Sequence, residues 1–497
     1  MDTEANGVGL EWSNTGAVLM LVCTLIFYYW HQRPIHFPPG PRGFPLIGVL
    51  PYLGKYPERT MQIWSRKYGP VMSVRVGSED WVVMGSQESI YQSFVKGGNV
   101  FSGRPFVKVA NEVTESKGLA MIDFNPTWKT QRKFGNVTLR GFGVGKKSLE
   151  ERIIEEVEAV KMNILSKEGK PFDITDILSN AIMNVICNIT AGQRFEYDDQ
   201  FFIQIRRHLW FMDPDRTAAF SAMVFVPLLC HIPPYRKKYE QIKQDTKEMM
   251  GLFQQLVDQQ RKTFDKNNLR DFIDAFILEN ENGTDESFTD RQLVHYVREL
   301  FKAGTETSTG TLRWAMLCLI HYPGAQEKIR KEIFDVLGNS TFPSMSDRNA
   351  MPYTSAFIQE VFRFRTLAPL GVPHKTTDTV NFANYIIPKG TTILSNLWAV
   401  HNDPTVWNNP RQFKPERHID DKGKYIQSNH VIPFSVGPRH CLGEQLARME
   451  IFIFLVSMVQ KFEFLPDPNK TDLPELDDGV NGVAFVPYPF KLVAKEI

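Results

Sequence analysis

Cysteine is scarce in this chain, which carries five in 497 residues: Cys23, Cys187, Cys230, Cys318 and Cys441. No two of them have the C-x-x-C spacing of a zinc site, and their odd number and wide separation indicate no disulfide framework. A zinc-stabilised module and a disulfide-rich secreted scaffold are therefore excluded. Such cysteine usage is typical of a protein that works in a reducing compartment.

An excess of charge of either sign is also missing. Lysine and arginine number 57 against 56 aspartates and glutamates, a net charge of +1, so we expect no nucleic-acid partner. The chain has no Gly/Ser-rich linker, low-complexity tract or internal repeat. Although length alone would allow about three domains, we predict one large catalytic domain over residues 49–497, preceded by a short N-terminal segment.

The N-terminal segment is apolar. Residues from Trp12 to Trp30 carry no charge, and this length is at the short end for a membrane-spanning helix, which needs about 20 apolar residues. A cleaved signal peptide is the alternative, but it requires a basic start, and this chain is acidic at positions 2, 4 and 11. The basic residues His31 and Arg33 follow the run and favour a cytosolic C-terminal side. We predict a single-pass membrane anchor over residues 1–33.

A proline-rich stretch, residues 34–48, follows the predicted anchor. Because proline runs cannot form helices, we expect a stiff spacer between the anchor and the catalytic domain. A second apolar stretch, Ala218–Cys230, is too short to span a membrane and contains Pro227. It is predicted either as an ordinary buried helix or loop, or as a surface that dips into the same bilayer.

Hydrophobic periodicity predicts a mainly α protein with a minor β-sheet region. Two alternating runs, Val71–Val76 and Trp81–Met84, flank a short polar turn and predict a hairpin. Short strands are also expected at Thr392–Ser395 and near the C-terminus. Apolar residues recur about every 3.6 positions in several long stretches that are predicted to be helical: Leu149–Leu165, Ile177–Ile189, Tyr239–Phe264, Asp290–His321 and Tyr353–Arg365.

One cysteine has an unusual setting. Cys441 follows a turn that contains Gly437 and precedes an apolar stretch, Leu442–Lys461, that is predicted to be helical. At the start of a helix, the dipole and the free N–H groups would lower the pKa of its thiol. Gly443 leaves room for a flat group, and Arg439 offers a cation for a carboxylate on that group. A buried free cysteine is the alternative, but together these residues indicate haem iron held by a cysteine thiolate.

Residues 434–443, FSVGPRHCLG, fill every fixed position of a Phe-x-x-Gly-x-Arg-x-Cys-x-Gly pattern. This pattern resembles the haem-binding loop of the cytochrome P-450 monooxygenases. The resemblance implies a haem b cofactor bound by Phe434, Arg439, Cys441 and Gly443, with Cys441 as the iron ligand. It also implies that the catalytic domain has the cytochrome P-450 fold.

A second motif, residues 303–308 (AGTETS), lies inside the long predicted helix. Ala303 and Gly304 are small enough to let a flat cofactor or a substrate approach the backbone. A threonine hydroxyl there can bond the carbonyl four residues back and loosen the helix, and an acid beside a hydroxyl can pass protons. Considered without the rest of the chain, the motif would be interpreted as an exposed polar turn of the helix. It resembles the family's oxygen-activation helix, however, which implies that Glu306 and Thr307 deliver protons and that Ala303 borders the cofactor.

Glu360 and Arg363 stand three residues apart on a predicted helix and share a face. Most such pairs are surface salt bridges. With Arg417, however, they resemble the family's Glu-x-x-Arg helix and its Pro-Glu-Arg partner loop, which implies a buried charged network with a structural role. The chain departs from the family pattern at the next position, where His418 replaces the usual aromatic residue.

Further haem contacts are implied by the same resemblance. Trp128 and Arg132 match the family's W-x-x-x-R helix, and His374 follows a proline as in the Pro-His variant of the propionate site. These residues would bind the haem propionates together with Arg439. Basic residues at positions 129, 133 and 140 add positive charge nearby, which indicates either a docking face for an acidic reductase or an ordinary solvated face. Family layout also implies a substrate pocket formed by Phe301, Ala303, Leu370, Val372 and Val483.

The chain carries no evident flavin or nicotinamide module, because the glycine-rich run Gly141–Lys146 fits no nucleotide-binding spacing. Electrons are therefore expected from another protein. In its details the chain is most similar to the animal microsomal family two group. This implies an enzyme of the endoplasmic reticulum membrane whose catalytic domain faces the cytosol. It would receive electrons from NADPH-cytochrome reductase, with cytochrome b5 as a further partner. Its substrates would be fatty acids, steroids or foreign chemicals. A reductase-independent haem-thiolate isomerase using peroxides and a non-catalytic haem or lipid carrier are the alternatives.

Overall fold

The computed structural model describes every residue except 1–5, 32, 46, 209–212, 340, 471–472 and 483. The described part of the chain is mainly helical, as predicted. In chain order the helices are α1 (Asn6–His31), α2 (Pro57–Tyr68), α3 (Gln87–Tyr91), α4 (Lys108–Thr114), α5 (Pro126–Gly141), α6 (Lys147–Leu165), α7 (Thr175–Ala191), α8 (Gln200–Arg207), α9 (Pro214–Phe225), α10 (Tyr235–Lys262), α11 (Phe272–Glu281), α12 (Asp290–His321), α13 (Pro323–Leu337), α14 (Pro352–Phe364), α15 (Leu397–His401) and α16 (Glu444–Lys461).

The strands form small sheets at the edge of the helices. Their bounds are β1 (Val71–Val76), β2 (Glu79–Met84), β3 (His374–Lys375), β4 (Val380–Phe382), β5 (Tyr385–Ile387), β6 (Thr392–Ser395), β7 (Phe462–Pro466) and β8 (Leu492–Glu496). One sheet has the order β1-β2-β6-β3, while β4 pairs with β5 and β7 with β8. The predicted hairpin is confirmed, since β1 and β2 pair antiparallel from Val71 opposite Met84 to Val76 opposite Glu79.

Helix α12 lies at the centre of the core. Its start is fixed by Thr289, whose side chain accepts a hydrogen bond from the Gln292 N–H, and Pro323 follows directly after its C-cap residue Tyr322. The helix packs against α7, α10 and α16. Its bounds coincide with the predicted stretch, because a capping residue and a proline mark both ends in the sequence.

Other helix ends differ from the prediction by a few residues. Helix α10 begins at Tyr235, four residues before the predicted start, because polar and basic residues continue the helix beyond its apolar face. The helix after Cys441 begins at Glu444, not at Leu442. Cys441 therefore lies in the turn that precedes the first helical residue.

The N-terminal region forms the helix α1, on which described side chains such as Val18, Leu19 and Met20 are exposed. In the described parts of the chain, none of the helices combines the length and the hydropathy required to cross a membrane. The proline-rich stretch is non-helical at each of its residues that the structure describes. It lies against β1, where the Ser73 hydroxyl donates to the Pro38 carbonyl at 2.6 Å.

Part of the apolar stretch Ala218–Cys230 is buried, as expected of a core helix, and part of it is exposed, as expected of a surface that dips into a membrane. Ala219, Met223 and Cys230 are buried against α4 and α10, as expected of an ordinary core helix. Leu228, in a 3-10 helix at Pro227–His231, is 73% exposed. Only part of the stretch is thus available to a membrane or a partner.

Candidate functional site

The loop before α16 makes a tight turn that presents Cys441. Gly437 has a φ of +83°, and a Cβ at this position would lie 2.0 Å from the Phe94 carbonyl oxygen. No residue other than glycine fits there without movement. The Cys441 N–H then donates to the Phe434 carbonyl at 2.9 Å and closes the turn. At Gly443, a Cβ would meet no atom within 4 Å, so open space adjoins the start of the helix.

Cys441 combines accessible surface with close packing by protein atoms. Its side chain retains accessible surface, yet burial raises the pKa of its thiol. The Gly443 N–H and the nearby Arg132 act to lower this pKa but do not overcome burial. The predicted lowering is therefore wrong for the polypeptide itself, and a thiolate here requires a strong additional positive charge, such as a metal ion.

Within residues 292–320, helix α12 has one stretch of accessible side chains. Between residues 292 and 320 all its side chains are buried except a group that we call the inner face: Glu299, Leu300, Lys302, Ala303, Gly304 and Thr307. Ala303 is the most exposed of them. The Ser308 hydroxyl donates to Glu450 on α16 at 2.6 Å, which joins the end of the inner face to the helix that follows Cys441.

The two small residues of the AGTETS motif have different surroundings. Ala303 is exposed on the inner face, where it can border a cofactor. A Cβ at Gly304, however, would lie 2.5 Å from the Ile186 Cδ1 on α7. The absence of a side chain at Gly304 therefore serves helix packing, in contrast to the expectation that it admits a cofactor.

Thr307 makes the bond anticipated from the sequence. Its hydroxyl donates to the Ala303 carbonyl at 2.6 Å, so its oxygen lone pairs remain able to accept a proton or a hydrogen bond. The helix nevertheless continues without interruption from Asp290 to His321, and the expected loosening is not observed. Glu306 is buried one residue before Thr307.

A buried arginine cluster, formed by Arg104, Arg132 and Arg439, lies next to Cys441. Arg439 donates to the carbonyls of Ser102, Leu119 and Ile122 at 2.6–3.3 Å, and its guanidinium lies 4.2 Å from the Trp128 ring centroid. Arg132 donates to the His440 carbonyl at 2.7 Å. Arg104, which the sequence did not suggest, donates to the Pro373 carbonyl at 2.7 Å.

The arginine cluster is suited to an anionic group. In the described part of the chain, no carboxylate hydrogen-bonds to the Arg439 side chain, and burial lowers the pKa of Arg439 to about 8 and that of Arg104 to about 10. Arginine keeps its proton at neutral pH, so the lowered pKa values mean that burial of these cations costs free energy. A bound anion would offset this cost. The residues present therefore fit a flat cofactor that carries carboxylates and an iron.

His374 differs from the expected propionate donor. Its Nδ1 lies 2.7 Å from the Phe101 carbonyl, so this nitrogen must carry the ring proton. Burial lowers the pKa of His374 well below its usual value, with Arg104 and Arg439 acting in the same direction. Neutral His374 can thus offer only an acceptor at Nε2, and it would bind a carboxylate there only after gaining a proton.

Glu360 and its partners form a buried network away from the inner face. Glu360 accepts from Arg363 at 2.8 Å and from Arg417 at 3.0 Å, as the resemblance implied. His418, the departure from the family pattern, takes part as well: its Nε2 donates to Glu360 at 3.0 Å while its Nδ1 accepts from the Gln359 amide. The replacement therefore extends the network.

The residues proposed for a substrate pocket are dispersed. Ala303 is on the inner face, but Phe301 is fully buried and packs against Phe253 of α10 with ring centroids 4.9 Å apart. Phe301 therefore belongs to the core. Leu370 is packed beside the sheet residues, Val372 is 48% exposed, and Val483 lies outside the described residues.

Two charged residues at the site escaped the sequence reasoning. Glu450 is a lone acid in the apolar run of α16, and Lys302 is a charged residue directly before the small pair Ala303-Gly304. For Glu450, an acid directly before the apolar run Ile451–Val459 was the available signal. Lys302 gave no such signal, because Arg298, Glu299 and Glu306 are charged neighbours in the sequence. Arg104 carried no comparable signal, because its partner Pro373 lies 269 residues away.

Comparison with known proteins gives consistent findings. A family model described as Cytochrome P450 matches residues 38–494. Cytochrome P450 2U1 of Homo sapiens is 35% identical, over 96% of this chain and 93% of the relative. Cytochrome P450 2J3 of Rattus norvegicus is 36% identical over 94% of both chains, and cytochrome P450 2C5 of Oryctolagus cuniculus is 36% identical over 96% of this chain and 98% of the relative. The resemblance drawn from the motifs is confirmed.

Proposed function

This chain belongs to the cytochrome P450 family and is a haem-thiolate monooxygenase, and we propose that it inserts one atom of O2 into lipophilic organic substrates with electrons from an NADPH-dependent reductase. One observation carries the proposal. Cys441 keeps an accessible thiol and lies beside a buried arginine cluster that favours an anionic group.

The haem would be held by residues of the Cys441 loop and of helices α5 and α12. Cys441 would be the iron ligand, and Arg439, Arg132 and Trp128 would hold the propionate side of haem b. Gly443 and Ala303 would leave room for the ring, and Phe434 packs beside the loop, with the Arg448 guanidinium 4.8 Å from its ring centroid. When bound, haem would supply the activation of O2 and thiolate donation would favour O–O cleavage.

Proton delivery is proposed for Thr307 and Glu306. The Thr307 hydroxyl donates to the Ala303 carbonyl, which leaves its oxygen lone pairs available as acceptors. A hydroxyl held in this way can accept a proton from a neighbouring acid or water and pass its own proton on. Glu306 is the adjacent acid and would serve as the proton source.

The electron source and the location are also proposals. Lys129, Lys133 and Arg140 are exposed on α5, next to the arginine cluster, and would attract an acidic reductase. Cytochrome b5 would be a second candidate for the same face. We propose the endoplasmic reticulum membrane as the location, with the catalytic domain in the cytosol. The exposed apolar side chains of α1 and Leu228 support a membrane contact.

One assay separates this function from its alternatives. Product formation from apolar substrates is measured with NADPH and reductase, without NADPH, and with cumene hydroperoxide. Turnover under the first condition alone supports the proposed monooxygenase. Turnover from the hydroperoxide alone would support a peroxide-using isomerase, and no turnover at all would support a carrier.

The ligand assignment has its own test. Cys441→Ser is expected to abolish the long-wavelength carbon monoxide absorption band of the reduced protein, because a hydroxyl does not replace the thiolate donor. Cys23→Ser, on α1, is the matched control and should leave the band unchanged. Persistence of the band in Cys441→Ser would contradict the assignment.

A further inference from the structure

A cleft of about 750 Å³ lies on the surface between α13 and the C-terminal end of α16. Its described walls come from residues between 327 and 339, from Gln460 and Lys461, and from Ile497. Helix α16 begins three residues after Cys441 and rises about 1.5 Å per residue, so the cleft lies roughly 25 Å along this helix from its first turn. The volume is typical of small-molecule sites, and none of the residues proposed to hold haem is among these wall residues.

Arg330 and Lys331 give the wall of this cleft its positive charge. In the part of the chain that the structure describes, neither forms a salt bridge, although the acidic Glu327 stands one turn before them. Both lie in the middle of α13, so compensation of the helix dipole at a terminus does not account for them. The other two cations of the wall, Lys328 and Lys461, are already paired with glutamates at 2.7 and 2.5 Å.

Arg330 also has hydrogen-bond donors without acceptors. Its Nε and Nη2 atoms are buried, and no group in the described chain accepts a hydrogen bond from them. These two N–H groups lie on one edge of the guanidinium, and the same edge of Arg363 binds both carboxylate oxygens of Glu360, each at 2.8 Å. Because no acceptor holds this edge in Arg330, the flexible side chain can turn it into the cleft without breaking a hydrogen bond. An oxyanion there would supply the missing acceptors in the same bidentate manner.

Phe334 adds an apolar surface beside the two cations. It follows Arg330 by four residues and Lys331 by three, so it shares a face of α13 with each of them. The Phe334 side chain is 61% exposed, and Ile497 is a second exposed apolar residue of the wall. A ligand that matches both features of the cleft would combine a flat apolar body with an anionic group.

We propose that this cleft is a binding site for a small amphipathic organic anion, with the oxyanion on Arg330 and Lys331 and the apolar body on Phe334 and Ile497. A guanidinium binds oxyanions through parallel charge-assisted hydrogen bonds, which adds geometric specificity to the attraction between the charges. The aromatic contact would favour a ligand with a ring system over a simple inorganic anion. The inference does not depend on the proposed monooxygenase function, since no residue of the haem site takes part.

The test compares naphthalene-1-sulfonate with naphthalene-1-sulfonamide, which share one ring system and nearly the same size but differ in charge. Equilibrium dialysis uses the full-length holoenzyme with saturating clotrimazole, an azole that ligates haem iron, so that the haem site is occupied. The sulfonate is expected to bind at one site, with a Kd about tenfold lower than that of the sulfonamide at pH 7.

Variants assign this difference to the cleft. Arg330→Gln/Lys331→Gln should remove it by weakening the sulfonate alone, whereas Phe334→Ala should weaken both ligands several-fold. Arg66→Gln/Lys67→Gln removes an equal charge from exposed neighbouring positions on α2. This double variant is the matched control and should bind both ligands as the wild type does.

Other outcomes would overturn the inference. Equal affinities of the wild type for the two ligands would do so, as would loss of sulfonate binding on addition of clotrimazole, since the ligand would then occupy the haem site. Equal weakening of the sulfonate in both double variants would show that net charge alone attracts it. If Arg330→Gln/Lys331→Gln does not fold, Phe334→Ala decides, and unchanged affinities in that variant would refute the site. Turnover and the carbon monoxide band are measured separately, so failure here would leave the proposed function intact.

Discussion

Glu360 and Glu450 are both buried, but their surroundings shift their ionisation in opposite directions. Burial opposes the ionisation of Glu360, yet hydrogen bonds from Arg363 and His418 outweigh it and lower the pKa to about 2. Among the residues that the structure describes, the Ser308 hydroxyl is the one hydrogen-bond donor to the Glu450 carboxyl, and burial raises the pKa of Glu450 to about 8. The charge of Glu360 therefore stabilises the folded protein, whereas a charge on Glu450 would destabilise it.

For Glu450, we predict that Glu450→Gln stabilises the protein at high pH. The folded pKa is raised above the usual value of 4.5, so the stability of the wild type falls as the pH rises from 4.5 through 8. The neutral amide avoids this loss. The free energy of unfolding in urea should exceed that of the wild type by roughly 1–4 kcal/mol at pH 8.5 and differ little at pH 5. Glu327→Gln, exposed on α13, should show no such dependence, and a constant difference between the two pH values would contradict the prediction.

For Glu360, the predicted effect has the opposite sign. Glu360→Gln should lower the free energy of unfolding by about 3–5 kcal/mol at pH 7, because Arg363 and Arg417 lose their buried counter-charge. Since the folded pKa lies below 4.5, the contribution of the charge is present above pH 4.5 and is lost as the pH falls towards 2. Glu416→Gln, which breaks an exposed pair with Lys328, should cost no more than about 1 kcal/mol. Similar losses in the two variants would contradict this assignment.

Within the single helix α12, two threonine hydroxyls, those of Thr307 and Thr309, have the same local geometry in different environments. Thr307 donates to the Ala303 carbonyl at 2.6 Å on the inner face, and Thr309 donates to the Thr305 carbonyl at 2.7 Å in the buried core. The bond to the carbonyl four residues back is thus common to both. Thr307 keeps accessible surface whereas Thr309 is buried, so the pair separates a catalytic effect from an effect on the helix.

This pair provides a controlled prediction. Thr307→Ala is expected to reduce the amount of product formed per NADPH consumed by about tenfold, with the remainder appearing as hydrogen peroxide, because a positioned proton donor contributes at least this much. Thr309→Ala removes an equivalent bond from the same helix and should leave this ratio unchanged. Measured losses of the same size in both variants would mean that the hydroxyls act on helix geometry and not on proton delivery.

Local patterns predicted the elements of the fold better than the details of the site. The bounds of α12 followed from apolar residues at helical spacing, and the β1–β2 hairpin followed from alternating apolar residues around a polar turn. The core position of Phe301 did not follow from the sequence, because a phenylalanine near Ala303 is equally compatible with lining a pocket and with packing against α10. The packing of Gly304 against Ile186 and the raised pKa of Cys441 likewise depend on atoms from distant segments.

At the scale of the whole molecule, the site is assembled from parts that are far apart in the chain. The arginine cluster joins the segment between α3 and α4, helix α5 and the Cys441 turn. Each guanidinium is held by carbonyls of another segment. Because these cations share a small volume, a bound anion would offset part of their mutual repulsion. The basic side chains of α5 continue this positive region to the surface, where Lys129 and Lys133 are exposed.

This outer part of the positive region leads to a prediction about partner binding. The double variant Lys129→Glu/Lys133→Glu should raise the KM for the reductase several-fold and reduce the dependence of KM on salt, because surface charges steer association and are screened by ions. The kcat at saturating reductase and the carbon monoxide band should be retained. Lys328→Glu/Lys331→Glu on α13 changes the net charge equally at another surface and is the matched control. An equal rise in KM for both double variants would show that net charge, and not this face, governs the encounter.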